Sequence, residues 1–178
     1  MLETLISSKT RVKLLLKFFL NSKNTSYLRG LESEFGESSN AIRLELNRFE
    51  NAGMLVSHTK GNKKLFKANT KHPIFNEVHN LLLKNIGFDT IIDKVITRLG
   101  DVEEVYVIGD FARGLDSQVI DLVFLGSIDI KYLIKLINKA EKIINRKIRY
   151  ITYSQKEKAK NNWQKENPES LLLWVKEK

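Results

Sequence analysis

Cysteine is absent from the 178 residues, which excludes disulfides, thiolate metal sensors and cysteine nucleophiles. Proline occurs twice and glycine nine times, with no tract of either and no low-complexity run, so the composition is not that of a disordered chain. No repeat with a period of about 20–50 residues is present, which argues against solenoid and propeller architectures. Apolar runs are only a few residues long and no secretory leader core precedes them, so no membrane association is expected and a cytoplasmic location is. Only three histidines occur, His58, His72 and His79, and their spacing suits no metal site. Hydroxyl residues such as Ser154 have no evident His–acid partners. Neither a metal nor another cofactor is therefore expected.

What the chain has in excess is positive charge, unevenly placed. The formal net charge is +9. Residues 1–71 hold 13 Lys/Arg against 6 Asp/Glu, a net +7, whereas residues 72–178 hold 17 against 15, a net +2. A basic first part invites a polyanion, most simply nucleic acid; an inert basic surface is the alternative meaning of the same charge. The hydrophobic fraction of 42% is that of a folded protein, and the length suits one large domain or two small ones.

The first segment has the pattern of three helices and a hairpin. Val12, Leu15, Leu16 and Phe19 follow i, i+3, i+4, i+7, with Ser7, Ser8 or Thr10 available as a cap and Asn21-Ser22 as a stop. A second helix is expected from about Thr25-Ser26 to Gly36, with Leu28, Leu31 and Phe35 inward. A third starts at Ser38 or Ser39, buries Ile42, Leu46 and Phe49, and ends at Gly53. Two β-like runs then flank Lys60-Gly61-Asn62-Lys63, a composition suited to a hairpin tip.

This order, with Ser38, Ile42, Leu46, Phe49 and Gly53-Met54-Leu55 at their spacings, resembles the ArsR/MarR-like winged helix-turn-helix regulators over about the first 70 residues. The resemblance implies that the third helix enters the major groove of double-stranded DNA. The outward set is then Ser38, Ser39, Asn40, Arg43 and Asn47. Arginine forks onto guanine and asparagine pairs with adenine, while short hydroxyls at a helix start suit phosphate oxygens. Arg48 lies farther round, toward phosphate, and Lys60, Asn62, Lys63 and Lys64 at the hairpin tip would follow the backbone or minor groove. The same side chains would also serve as a solvated helix face and as lysines that keep an edge strand soluble.

Beyond residue 71, Pro73 is expected to open a connecting helix to about Ile86, with Ile74, Val78, Leu81 and Leu82 on one side. A helix from Asp89 to Leu99 carries Ile92, Val95, Ile96 and Leu99. Strand Val102–Ile108, a loop, strand Val119–Leu125, helix Ile130–Asn145 and strand Lys147–Tyr153 follow. Lys156-Glu157-Lys158-Ala159-Lys160 suits a solvated helical face. The run from Pro168 to Val175 suggests an amphipathic tail helix, and Trp163 and Trp174 suggest core or interface anchors.

The loop and strand Gly109-Asp110-Phe111-Ala112-Arg113-Gly114-Leu115-Asp116-Ser117-Gln118-Val119-Ile120-Asp121-Leu122 resemble the active-site segment of the small nucleotidyltransferase domains. In that family a Gly-Ser pair opens a turn, Arg-Gly follows, and a strand carries Asp-x-Asp. Those two aspartates and a carboxylate on a later strand hold the Mg²⁺ ions that activate the triphosphate. Here Asp110 occupies the serine position, Val119 the first ligand position, and only Asp121 remains. The strand Ile148–Tyr153 offers no acid. The resemblance, over residues 88–155, therefore implies a degenerate nucleotide or anion site at Gly109, Asp110, Arg113 and Asp121 with no catalytic residue. Arg113 is expected to pair with Asp110, Asp116 or Asp121. Regrouping of those aspartates around a metal is the other arrangement they allow.

These patterns together predict an α+β / α/β chain. A winged helix-turn-helix domain occupies 1–71, a connecting helix 72–87, and a degenerate nucleotidyltransferase-like mixed-sheet domain with a helical tail 88–178. The function they suggest is a homodimeric DNA-binding transcriptional regulator whose second domain senses a ligand, dimerises or binds a partner protein. The rival functions are an active Mg²⁺-dependent nucleotidyltransferase and a toxin–antitoxin-type protein-binding module.

Overall fold

The computed structural model describes residues 2–99, 101–154, 157 and 163–176. The expected solvated face at Lys156–Lys160 lies, Glu157 apart, outside them. The chain divides into two compact units, Met1–Asn85 and Ile86–Lys178. It is a mixed α and β protein, and among the described residues no helix is long and apolar enough to cross a membrane.

In the first unit, α1 (Leu2–Leu5) precedes α2 (Lys9–Leu15), which Ser8 caps by accepting from the Arg11 N–H at 3.2 Å. The helix then widens into a π-helical stretch, Leu16–Leu20, all five residues of which are buried. The wider turn brings Phe18, Phe19 and Leu20 inward together and leaves carbonyls without helical donors. Side chains supply donors instead: Asn24 Nδ2 donates to the Lys17 carbonyl at 3.0 Å, and the His79 ring to that of Phe19 at 2.9 Å. Lys17 is buried too, and its ammonium reaches Glu34 at 2.7 Å.

Helices α3 (Leu28–Phe35) and α4 (Ser39–Asn51) follow, then the antiparallel hairpin β1 (Leu55–Lys60) and β2 (Lys63–Ala68). α3 starts later than the sequence suggests because Ser26 is already engaged: its N–H and C=O pair with Phe66 of β2 at 3.1 and 2.8 Å. That bridge ties the entry of α3 to the hairpin. Leu31, Ile42, Leu46, Leu55 and Phe66 close the core, with Phe19 set 6.2 Å from Phe49 and 5.7 Å from Phe75. On α5 (Phe75–Ile86) the inward face differs from expectation. Leu82 and Ile86 are buried, but Leu81 is 37% exposed, and Ile74, expected on the helix, lies in the turn before it and is 46% exposed. The stripe that packs runs through Phe75, Val78, Leu82 and Ile86: Val78 and Leu82 are as expected, while Phe75 and Ile86 stand in for Ile74 and Leu81.

In the second unit, α6 (Phe88–Lys94) gives way at Val95 to a 3₁₀ turn, Ile96–Arg98, so the expected long helix is broken in two. Strands β3 (Val102–Ile108), β4 (Val119–Gly126), β5 (Lys147–Tyr153) and β6 (Leu171–Val175) form one mixed sheet in the order β5-β4-β3-β6. β4 lies antiparallel to β3 and parallel to β5. The short helix α7 (Gly109–Ala112) joins β3 toward β4, and α8 (Ile130–Ile144) makes the crossover to β5. α8 buries Leu133, Leu136, Ile137 and Ala140 at i, i+3, i+4, i+7, under an Asp129 cap that accepts from the Tyr132 N–H at 3.1 Å.

The tail is a strand rather than the expected helix. Leu171–Val175 pairs antiparallel with β3 along an edge that would otherwise present unpaired backbone groups. A continuous apolar run fits a strand as well as a helix, and the vacant sheet edge decides between them. Trp163 is buried against Val123 and Leu125 with its ring 4.9 Å from that of Tyr106; Trp174 sits on β6 opposite Val105.

The least usual feature of the first unit is Glu45, a carboxylate only 4% exposed. Arg11 binds it through Nε at 2.9 Å and Nη2 at 3.1 Å, Arg48 at 2.9 Å, and the Ser8 hydroxyl at 3.3 Å. Burial alone pushes its pKa up, but the hydrogen bonds and charges of Arg11 and Arg48 outweigh this and hold it below the ordinary range. Glu37 is lowered in the same way: burial opposes, and the bonds from Lys13 and Thr10 prevail.

Such carboxyls bind a proton more weakly folded than unfolded, so their stabilisation is complete above the ordinary carboxylate range and is lost as pH falls through the folded values. The urea midpoint is expected to stay level from about pH 7 to about pH 5 and to fall below about pH 4.5. Glu45→Ala, which leaves Arg11 without its acceptors, is expected to cost about 2 kcal/mol and to flatten that acid dependence. Urea titrations of both proteins at pH 7 and pH 4 check it.

Candidate nucleic-acid interface and the loop site

α4 is capped by Ser38, whose Oγ accepts from the Ala41 N–H at 3.3 Å. With Ile42, Glu45, Leu46 and Phe49 buried, Asn40, Arg43, Leu44 and Asn47 are left facing solvent. Arg43 and Asn47 form one wall of a cleft of about 470 Å³, whose other walls are the start of α3 and the hairpin residues Asn62, Lys63 and Lys64. Among the described residues, no acidic side chain lines it. Of the residues singled out from sequence, Arg43, Asn47, Asn62, Lys63 and Lys64 are brought together here; Ser38, Ser39, Asn40, Arg48 and Lys60 stand outside the cleft.

Two of the expected contacts are committed within the protein. Arg48 pairs with Glu45 at 2.9 Å. Lys64 pairs with Glu50 at 2.7 Å and lies 5.0 Å over the Phe66 ring. The Glu50 carboxyl is held low by its bond from Lys64 and then by that from Ser57. Arg29 and Arg43 appear in no ion pair among the described residues, and Lys63 sits 4.2 Å over the ring of Tyr27. Tyr27 and Arg29 also line the cleft, and sequence reasoning missed both. The signal was Tyr27-Leu28-Arg29 at the start of a helix, hidden by starting α3 two residues too early.

In the second unit, Gly109 (φ 69) turns the chain out of β3 toward Asp121 on β4. Asp121 and Arg149 are direct partners across the parallel β4–β5 ladder. Their side chains meet in a fork, Nε to Oδ1 at 2.6 Å and Nη2 to Oδ2 at 2.9 Å. The bond to Asp121, and then its charge, raise the Arg149 pKa above its ordinary value. Asp110 pairs with Arg113 at 2.5 Å, and Asp116 with Arg146 at 3.0 Å. Arg146 also donates to the Ser117 carbonyl and lies 5.2 Å over the ring of Phe111. Each aspartate of the segment thus has its own arginine. Arg113 and Asp110 sit together as expected; the partners Arg146 and Arg149 were not anticipated, because only the sheet register reveals them.

Among the described residues no group of three or more His, Asp or Glu side chains is placed to hold a metal. His72 and His79 are each bonded to a separate backbone carbonyl, of Ala52 at 3.2 Å and of Phe19 at 2.9 Å. The arrangement at the loop can hold carboxylates in charge-neutral pairs, and the cleft of the first unit can hold an anion.

No protein-family profile matches the chain, and no curated protein sequence matches it. Among solved structures, a mutant of the toxin–antitoxin pair MntA–HpeT is similar at 12% identity and a TM-score of 0.41, over 51% of this chain and 74% of that one. A Shewanella oneidensis structure of a tri-AMPylated HEPN toxin with its MNT antitoxin is similar at 12% identity and 0.39, over 52% and 73%. A provisionally assigned nucleotidyltransferase of Sulfolobus solfataricus is similar at 24% identity and 0.35, over 54% and 85%.

Gly109→Ala places a β-carbon 2.7 Å from the Asp121 Oδ2 at a backbone angle that disfavours side chains. A loss of about 1–3 kcal/mol is expected in urea unfolding. Gly109→Ala combined with Asp121→Ser should lose less than the two single changes summed, because the clash is gone. Strict additivity would show that Asp121 does not press on the turn.

Proposed function

We propose that the first unit is a winged helix-turn-helix that binds double-stranded DNA, and that the second is a nucleotidyltransferase-like scaffold without nucleotidyl-transfer chemistry. The observation that carries the DNA reading is the cleft between α4 and the hairpin: Arg29, Arg43 and Lys63 surround it, no acid lines it, and Arg29 and Arg43 enter no ion pair among the described residues. A phosphate backbone is the polyanion that such a groove, beside a solvent-facing helix, fits best. The element order supports the winged reading, as does the bridge from Ser26 to Phe66 that adds an extended residue to the hairpin.

The scaffold reading rests on the strand–turn–strand–helix–strand order around Gly109–Leu122. Nucleotidyl transfer needs divalent metal held against the triphosphate. In this chain Val119 replaces one ligand, Arg149 stands on the strand where another carboxylate is required, and its guanidinium forks onto the remaining Asp121. A fixed cation in that place opposes Mg²⁺ binding by charge and by occupancy. The residues present do not fit the metals.

We infer further that the chain works in the cytoplasm as a homodimeric regulator, since winged helices bind near-palindromic sites as two-fold pairs. Ile74 just before α5, Leu81 on it, and Leu172 and Val175 on the edge strand β6 are exposed apolar side chains suited to such an interface.

Selection of bound duplexes from a random pool by the full chain is expected to return a palindrome. Arg43→Ala should then cost about 1–3 kcal/mol and relax preference at one base pair. Lys63→Ala should weaken all sequences alike and reduce the salt slope by about one. Retention of no duplex at low salt, or binding indifferent to salt, would sink the DNA reading. Mg²⁺-dependent transfer of label from α-³²P nucleotides, lost in Asp121→Asn, would overturn the non-catalytic one.

A further inference from the structure

We propose that Leu44 is a base-reading residue, its side chain meeting the 5-methyl group of a thymine in the major groove. This rests on the DNA reading of α4 above and deepens it.

Leu44 is 53% exposed, while its apolar neighbours on the helix, Ile42 and Leu46, are 0% and 2% exposed. It is therefore no part of the core. At 100° per residue it lies on the outward face of α4, flanked by Asn40 and Asn47 on the side toward Arg43 and by Arg48 on the other. A single leucine among polar side chains is too small a patch to dock a protein. The basic side chains around the cleft are complementary in charge to a phosphate backbone, so this face is the one a duplex would approach. On the major-groove edge the bases present donors and acceptors, and one apolar group, the thymine methyl. Asn and Arg match the first kind; Leu44 matches the second.

The test takes the duplex recovered with the full chain and replaces each thymine in turn with deoxyuridine, which keeps every hydrogen-bonding edge and lacks only the methyl. At one thymine per half-site the wild-type chain is expected to lose about fourfold in affinity, the factor that burying one such group carries. Leu44→Ala should bind the thymine and deoxyuridine duplexes equally at that position, with an unchanged salt slope that reports an intact fold and backbone contact. Leu44→Met, still long and apolar, should keep the discrimination. Wild-type binding indifferent to every replacement, or undiminished discrimination by Leu44→Ala, overturns the role of Leu44 while leaving the DNA reading standing. Retention of no duplex at all overturns both.

Discussion

Glu45 occupies the middle of α4, 4% exposed, where a helix of this kind ordinarily buries an apolar residue. Arg11 and Ser8, at the start of α2, reach across and bind it. Aliphatic packing alone leaves a helix some freedom to roll about its axis; a forked guanidinium–carboxylate contact has a defined geometry and restricts that roll. The direction in which Arg43, Leu44 and Asn47 point therefore depends on a charge pair between two other faces. The same carboxylate draws in Arg48, which removes one cation from the outward set. Replacing the pair with apolar groups would be thermodynamically tolerable, so fixing an orientation is the better physical reason for it than stability.

In the second unit arginines stand against the three carboxylates of the loop and strand, one to each. An arrangement of this kind holds the turn through charge-neutral pairs. Asp121 lies close to Gly109, and the charge of Asp110 also acts on Arg149. Arg149 thus stands between the charges of Asp121 and Asp110 as a fixed cation. The geometry of the segment is thus held by ion pairs between side chains, with one arginine to each aspartate.

The strands and helices whose apolar residues carry a clear period were legible in the sequence. β3 and β5 have the expected limits, and α8 departs only at its last residue, because alternation and the i, i+3, i+4, i+7 stripe are local properties. The failures share one cause, dependence on a distant partner. β6 is a strand because β3 has an edge to fill. α3 begins late because Ser26 pairs with Phe66. On α5 Val78 and Leu82 lie on the expected side, but whether Leu81 or Ile86 joins them is chosen only by the packed core. At the loop, the lack of acids on β5 was visible in the sequence; that Arg149 lands on Asp121 was not, since sheet register places them side by side from 28 residues apart.

The same distinction applies to charge. Counting lysines and arginines identifies the first unit as basic, but a count assigns every cation equal weight. Lys17, Arg11, Arg48 and Lys64 each face a glutamate, so their fields are largely compensated within the fold. Arg29 and Arg43 enter no such pair among the described residues, and Lys63 rests on an aromatic face that leaves its charge in place. The field a polyanion would meet is therefore narrower than a net charge of +7 suggests and is concentrated at one cleft beside α4. A concentrated field orients an approaching duplex, whereas a diffuse one only attracts it. On the proposed DNA reading, orientation is what α4, with its asparagines, arginine and exposed leucine, would require before differences between base edges could count.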